Sequence, residues 1–344
     1  ALLLACAYTD APANGPPPIS VTDSCPFARD GVCDEPTNCA LGTDSTDCEA
    51  VCASGEAPHL FGAACAHRQP AEPAEAPAGT GGSLHETGWR DGTLEVPSGL
   101  DANRTVQRHF RLYVPTSYRP DRASPLVVVL PGHRVDIYGQ ADYTQLVRTA
   151  ELNRFLVVFA EQEFRQGRWA WWTDWQWATA TRENPDLLFL RRLVERTFAD
   201  YNVDRGRVFA AGHSRGASMA IIAALELGDL FAGACAQSGF TEFGYHQRIE
   251  RWTGRKVPLV LIHGMRDDDV CVDCTAGGSC RLITPQRRCG DIEASDALFA
   301  LFKARGWTTE NLVYYRLEHV THRWQPQLNQ QWFDFLHARP MEAR

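Results

Sequence analysis

"RGRVFAAGHSRGASMAIIAALELGDLF", residues 205–231, runs from one apolar segment through Gly-x-Ser-x-Gly into a second apolar segment of different period. At average glycine frequencies a chain of this length holds such a pentamer by chance about one time in ten, so the flanks must decide its meaning. Val208 and Phe209 sit in a short apolar run with the pattern of a buried strand, whereas Met219, Ile222 and Leu225 recur at helical spacing. Strand, tight turn and helix are therefore predicted in succession. At so sharp a turn, side chains two before and two after the serine would clash, which glycine at 212 and 216 avoids. The turn lifts Ser214 out of the sheet edge at a helix N-terminus, whose backbone N–H groups and dipole favour an oxyanion.

The rest of the chain reads in the same way. "PLVVVL" (125–130), "FLVVFA" (155–160) and "PLVLIHG" (258–264) are apolar runs of the kind found in parallel strands buried on both faces. "GTLEV" (92–96) and "QRHFRLYVP" (107–115) instead alternate like antiparallel edge strands, and "LVYYRLEHV" (312–320) continues the series. Helical segments lie between them. Strands alternating with helices imply an α/β architecture with a mostly parallel, doubly wound sheet. A chain of 344 residues with 44% hydrophobic content can bury one large core and carry a small appendage. We expect a tether over 1–24, a cysteine-rich disulfide module over 25–66, a Pro/Ala/Gly linker over 67–84 around "QPAEPAEAPAGTGGS", and a catalytic domain over 85–344.

Residues 1–66 carry nine acidic side chains against Arg29 alone, so this end holds the whole formal charge of −8. The neutral remainder gives no electrostatic reason to expect a nucleic-acid partner, and no apolar run of about 20 residues is present to span a bilayer. Twelve cysteines are many for a cytosolic enzyme. Six (Cys25, Cys33, Cys39, Cys48, Cys52, Cys65) and four more (Cys271, Cys274, Cys280, Cys289) form even-numbered local groups, as disulfides made outside the cytoplasm would. Zinc is the other reading of Cys271 and Cys274, but the spacing that follows them suits it poorly. Cys235, alone in an apolar strand, reads as a buried small hydrophobe. The module over 25–66 is too short and too polar to fold without cross-links.

The start "ALLLACA" looks like the end of an export signal. Its Leu3-Leu4-Ala5-Cys6 resembles a bacterial lipobox, which implies lipid on Cys6 and a membrane-tethered surface lipoprotein. An ordinary secretion signal with an incidental cysteine is the other reading. "DGVCDEPTNCALGTDSTDC" (30–48) resembles the Notch-type repeats in which acidic side chains between cysteines hold calcium. That resemblance implies Asp30, Asp34, Asp44 and Asp47 as oxygen ligands of a structural calcium. The plainer alternative is a solvated acidic surface on a disulfide knot.

"YNVDRGRVFAAGHSRGASM", "PLVLIHGMRDDDV" and "HVTHRW", in this order, resemble the α/β-hydrolases that include polyhydroxybutyrate depolymerases and the feruloyl and acetylxylan esterases. The resemblance runs from about Thr93 to Leu336 and implies the α/β-hydrolase fold, with nucleophile, acid and histidine in that chain order. Ser214 is then the nucleophile. The family's His-Gly-x-x-Asp-x-x-Val selects Asp267, with Asp268 in reserve, and its final His-x-Trp-Pro selects His322. The proline here is displaced by one residue, in Trp324-Gln325-Pro326. His319 falls inside the strand pattern and reads as structural. The carboxylate would accept the imidazole N–H and stabilise the imidazolium, while the imidazole takes and returns the serine proton. The resemblance places the oxyanion donors on the backbone N–H groups of Arg215 and of His133, in "PGHRVD". Relatives usually have His-Gly where this chain has Pro131-Gly132, but the donor is the amide after the glycine. No cofactor is implied for catalysis.

"RWAWWTDWQWA" (168–178) gathers Trp169, Trp171, Trp172, Trp175 and Trp177, and in relatives this region lies at the active-site end. Flat aromatic surface there suits sugar rings, feruloyl groups or a polyester chain. Trp169, Trp171, Trp172 and Trp175, with Trp324 beside His322, are the expected substrate contacts, although most of the indoles in the cluster can equally be core. The function implied is an exported serine esterase that acts through an acyl-enzyme. Its substrate would be a feruloyl or acetyl ester of plant polysaccharide, or a polyhydroxyalkanoate-type polyester. Two other classes stay open: a non-catalytic surface lipoprotein that binds with a hydrolase fold, and a serine peptidase, because triad chemistry alone does not separate esters from amides.

Overall fold

The strands are β1 (Gly88–Pro97), β2 (Thr105–Val114), β3 (Ser124–Leu130), β4 (Leu156–Ala160), β5 (Glu163–Arg165), β6 (Arg168–Ala170), β7 (Val203–His213), β8 (Gly233–Gln237), β9 (Leu259–Gly264), β10 (Val272–Thr275), β11 (Ser279–Leu282) and β12 (Leu312–Leu317). The helices are α1 (Ile137–Thr144), α2 (Leu146–Asn153), α3 (Pro185–Asp200), α4 (Arg215–Glu226), α5 (Phe243–Glu250), α6 (Asp291–Ala304) and α7 (Asn329–His337). The computed structural model describes residues 79–99, 101, 103–165, 168–171, 184–241, 243–267, 272–275, 279–282 and 291–342. The tether, the cysteine-rich module, Cys6 and the four aspartates of the expected calcium site lie outside these residues.

Eight strands form one sheet in the order β1-β2-β4-β3-β7-β8-β9-β12. The first two pairings, β1 with β2 and β2 with β4, are antiparallel, and all the others are parallel. The alternating sequences thus took the edge and the continuous apolar runs took the centre. Side chains of β3 divide by parity: Leu126, Val128 and Leu130 join one apolar cluster, and Val127 and Val129 the other. Helices α3 to α6 contribute to the first cluster, and α1, α2 and α7 to the second. Both faces of the central strands are therefore dry, and each fully buried Val or Leu contributes about 1.5–3 kcal/mol. No helix among the described residues is long and apolar enough to cross a membrane.

Local chemistry fixes the element ends. α3 starts where Asn184 accepts hydrogen bonds from the amides of Asp186 and Leu187 and Pro185 occupies the first turn. Asp186 in turn holds Arg108 of β2 at 2.8 Å, both side chains being almost wholly buried. Arg108 also donates to the Glu161 carbonyl and lies over the ring of Phe189. Removing either partner of such a pair leaves a buried charge uncompensated, at a cost of about 3–5 kcal/mol. This pair joins the antiparallel edge to the helical layer.

Two boundaries differ from expectation. The expected linker ends earlier than residue 85, because Gly79 bridges Asp204, Thr80 donates its amide to Val203, and Leu84 donates to Asp200. Glycine- and proline-rich composition does not reveal such tertiary bonds. β12 ends at Leu317, so His319 stands exposed on the following turn and has no place in the strand. Cys235 is buried as expected, and the β10–β11 hairpin places Cys274 opposite Cys280 in register.

Burial sets the acid response of the fold. The imidazole of His213 is pulled down to about 3 by burial and by the nearby His322, and that of His246 to about 4 by burial. Burial and the charge of Arg207 lower His337 to about 4. Unfolded histidines take up protons near pH 6.5, so the unfolded chain binds more protons below that pH and stability falls. Asp334, raised to about 7 by burial, acts in the opposite sense, but it is one group against three. Tm should therefore drop between pH 6.5 and about pH 4.5. A flat or rising Tm would show that these imidazoles are not held neutral.

Candidate active site

Ser214 follows β7 and precedes α4, with φ 55° and ψ −122°, a conformation rarely adopted by a residue with a side chain. The glycines around it are sterically required. A Cβ on Gly212 would lie 2.1 Å from the Gly216 carbonyl oxygen, and one on Gly216 would lie 2.0 Å from that of Leu130. The serine amide donates to the Gln237 carbonyl at 2.9 Å, which ties the turn to the end of β8.

The acid and the histidine are brought together by stitching the loops after β9 and β12. Met265 and Arg266 donate their amides to the carbonyls of Leu317 and Val320. Asp267, buried, then accepts from His322 Nδ1 at 2.8 Å on one oxygen and 3.0 Å on the other. Burial pushes this carboxyl up, but the hydrogen bonds from His263 and His322 outweigh it and hold the group well below the usual carboxylate range. It is an anion at every ordinary pH. With Nδ1 turned to Asp267, Nε2 is the ring nitrogen on the far edge of His322.

Several contacts set the histidine loop beside the nucleophile. The Ser238 hydroxyl donates to the Arg323 carbonyl at 3.1 Å, and the Gln325 amide donates to the Gln237 side chain at 2.8 Å. The Trp324 amide donates to the Tyr143 hydroxyl oxygen. The ring of His213, the residue before the serine, lies 5.0 Å from that of His322 and 5.3 Å from that of Tyr143, centroid to centroid.

The turn after β3 lies against the same serine, since a Cβ on Gly132 would sit 3.4 Å from Ser214 Cβ. Its carbonyls are anchored from the protein interior. Trp171 Nε1 donates to Pro131 at 2.8 Å, and Gln162 Nε2 donates to Gly132 at 2.5 Å and to Val135 at 3.1 Å. In a trans peptide the N–H is opposite the C=O. Gln162 therefore turns the His133 N–H away from itself, and that is the amide expected to serve the oxyanion.

Asp267 and His322 are hydrogen-bonded to each other, the His322 ring lies beside that of His213, the residue before Ser214, and Gly132 lies against Ser214. Trp171 is 3% exposed and Trp324 2% exposed, so neither forms a substrate wall. Trp171 braces the turn after β3, and Trp324 is core, its indole donating to Asn329. An indole's hydrogen-bonding needs are met inside the protein as readily as at a surface, and the sequence cluster could not tell the two apart. Trp169 lies on β6, where the backbone alone is described, and Trp172, Trp175, Trp177 and Asp268 lie outside the described residues. Gln162, Gln237, His263 and Ser295 were not singled out. Of these only His263 had a signal, its spacing four residues before Asp267.

The sheet order defines the class of fold, an α/β-hydrolase. The Esterase family model matches residues 102–335, and the chain belongs to that family. It is 25% identical over 161 residues to a bifunctional acetylxylan esterase/xylanase of Neocallimastix patriciarum, covering 47% of this chain and 22% of that protein. It is 27% identical over 146 residues to poly(3-hydroxyalkanoate) depolymerase C of Paucimonas lemoignei, covering 42% of this chain and 30% of that protein. The matches thus span less than a third of either relative. Among solved structures, an acetyl xylan esterase from Aspergillus awamori superposes with TM-score 0.52 at 16% identity, covering 71% of this chain and 99% of that one. An S-formylglutathione hydrolase from Agrobacterium tumefaciens gives 0.51 at 15% identity, covering 74% and 97%. At these identities the structures speak for the fold alone.

Losing the Gln162 anchor should impair turnover without weakening binding. Gln162→Leu is expected to lower kcat about 10- to 100-fold with KM nearly unchanged, somewhat less than loss of an oxyanion donor itself. Steady-state kinetics on a p-nitrophenyl ester check this, and an unchanged kcat in a folded variant would contradict it.

Proposed function

We propose that the protein is an exported serine carboxylic-ester hydrolase whose nucleophile is Ser214, with His322 as general base and Asp267 as its anionic partner. The observation that carries this reading is the hydrogen-bonded Asp267–His322 pair beside a serine on a strained turn at a helix N-terminus. His322 Nε2 takes the Ser214 proton as the oxygen attacks the ester carbonyl, and the imidazolium rests on Asp267. The oxyanion is stabilised by the backbone N–H groups of His133 and Arg215. Collapse passes the proton to the departing alcohol and leaves an acyl-enzyme, which water cleaves by the same route. No step calls for a metal or cofactor.

The substrate we favour is an acetyl or feruloyl ester on an extracellular polysaccharide. Its support is the acetylxylan esterase among the relatives. A polyhydroxyalkanoate-type polyester is the second reading, supported by the depolymerase match. Clustered cysteines support export.

Ser214→Ala should cut p-nitrophenyl acetate turnover by at least about a thousandfold. Turnover that survives this change would refute the mechanism, and an intact chain with no turnover on any ester would favour the binding-protein alternative. Acetate or ferulate released from polysaccharide, compared with hydroxybutyrate released from a polymer film, separates the two substrate readings.

A further inference from the structure

Asp267 has two histidine partners. His263, at the end of β9, is 1% exposed and places Nε2 at 2.9 Å from Asp267 Oδ2, the oxygen that also meets His322. A carboxylate only accepts, so His263 Nε2 carries a proton. The opposite nitrogen, Nδ1, lies 2.6 Å from the hydroxyl of Ser295 on α6. With Nε2 protonated, a neutral ring has Nδ1 as acceptor, and the Ser295 O–H donates to it. The Gly239 carbonyl at 3.4 Å is the weaker competitor for that proton. The chain of donors runs from Ser295 through His263 to Asp267 and ends on the carboxylate oxygen that His322 also meets.

This arrangement suits a task that neither a cation nor an apolar residue would perform. An apolar residue at 263 would leave the buried carboxylate with His322 as its one remaining histidine donor, free to rotate or to take up a proton, and a protonated acid cannot stabilise an imidazolium. A cation would satisfy Asp267 but draw off the negative charge that His322 needs. A neutral donor fixes the orientation and leaves the charge in place.

We propose that His263, held as the Nε2–H tautomer by Ser295, is a positioning residue for catalysis: it aims the Asp267 carboxylate at His322. The inference rests on the serine-esterase reading above and extends it by two residues.

The test uses the full chain with His263→Leu, His263→Gln and Ser295→Ala, each checked by thermal melting. Turnover of p-nitrophenyl acetate and the rate of Ser214 phosphylation by diisopropyl fluorophosphate are the two readouts. His263→Leu should lower kcat about 10- to 100-fold with KM within about twofold, and slow phosphylation to match. His263→Gln keeps a neutral N–H donor near the position of Nε2 and should recover about tenfold of that loss. Ser295→Ala removes only the hydroxyl that fixes the tautomer, and should lower kcat several-fold; it carries the test if His263→Leu does not fold. Folded Leu and Gln variants with equal losses, or unchanged kcat in all three, would overturn the role of His263 while Ser214→Ala remained inactive. If Ser214→Ala stays active, the esterase mechanism itself fails, and this inference with it.

Discussion

A buried carboxylate lies at the centre of this site. Moving such an ion out of water costs several kcal/mol even after relaxation, and the cost is offset only when hydrogen-bond donors converge on it. Donors to Asp267 include two imidazoles from different parts of the chain, one at the end of β9 and one after β12. The parallel pairing of these two strands and the amide bonds between their loops are what bring the imidazoles within reach. The order of strands in the sheet is thus also an electrostatic requirement.

The remaining parts are fixed by polar residues that never meet a substrate. Gln237 accepts the Ser214 amide with its backbone and the Gln325 amide with its side chain, so one buried residue sets both the nucleophile and the histidine loop. Gln162 plays the equivalent part for the turn after β3. Both sit at or just beyond the carboxyl end of a strand, where a side chain can turn from the core to a loop. Preorganisation here means that dipoles are aimed before substrate arrives, by groups locked in the core.

How much of this the sequence disclosed follows from the range of the interactions. Strands β3, β4 and β9 were legible because burial on both faces leaves a local mark, an unbroken apolar run. The pairing of Asp267 with His322 was legible because each belongs to a short motif in a fixed chain order. Trp171 was not, because its partner, the Pro131 carbonyl, is forty residues away and an indole looks the same beside a ligand or beneath a loop. His263 was in plain view within "IHGMRD", but its importance lies in Ser295, a residue with no motif at all. The pairing of Arg108 with Asp186 was hidden for the same reason: nothing near either residue in the chain marks it as buried.

The contact between Gly216 and the end of β3 bears on how such sequences are recognised. The space there admits a hydrogen atom and no carbon, whatever the serine beside it is doing. A descendant that lost Asp267 or His322, and all chemistry with them, would still need both glycines in order to fold. The pentamer is therefore a signature of shape, one that a dead enzyme would carry as faithfully as a live one.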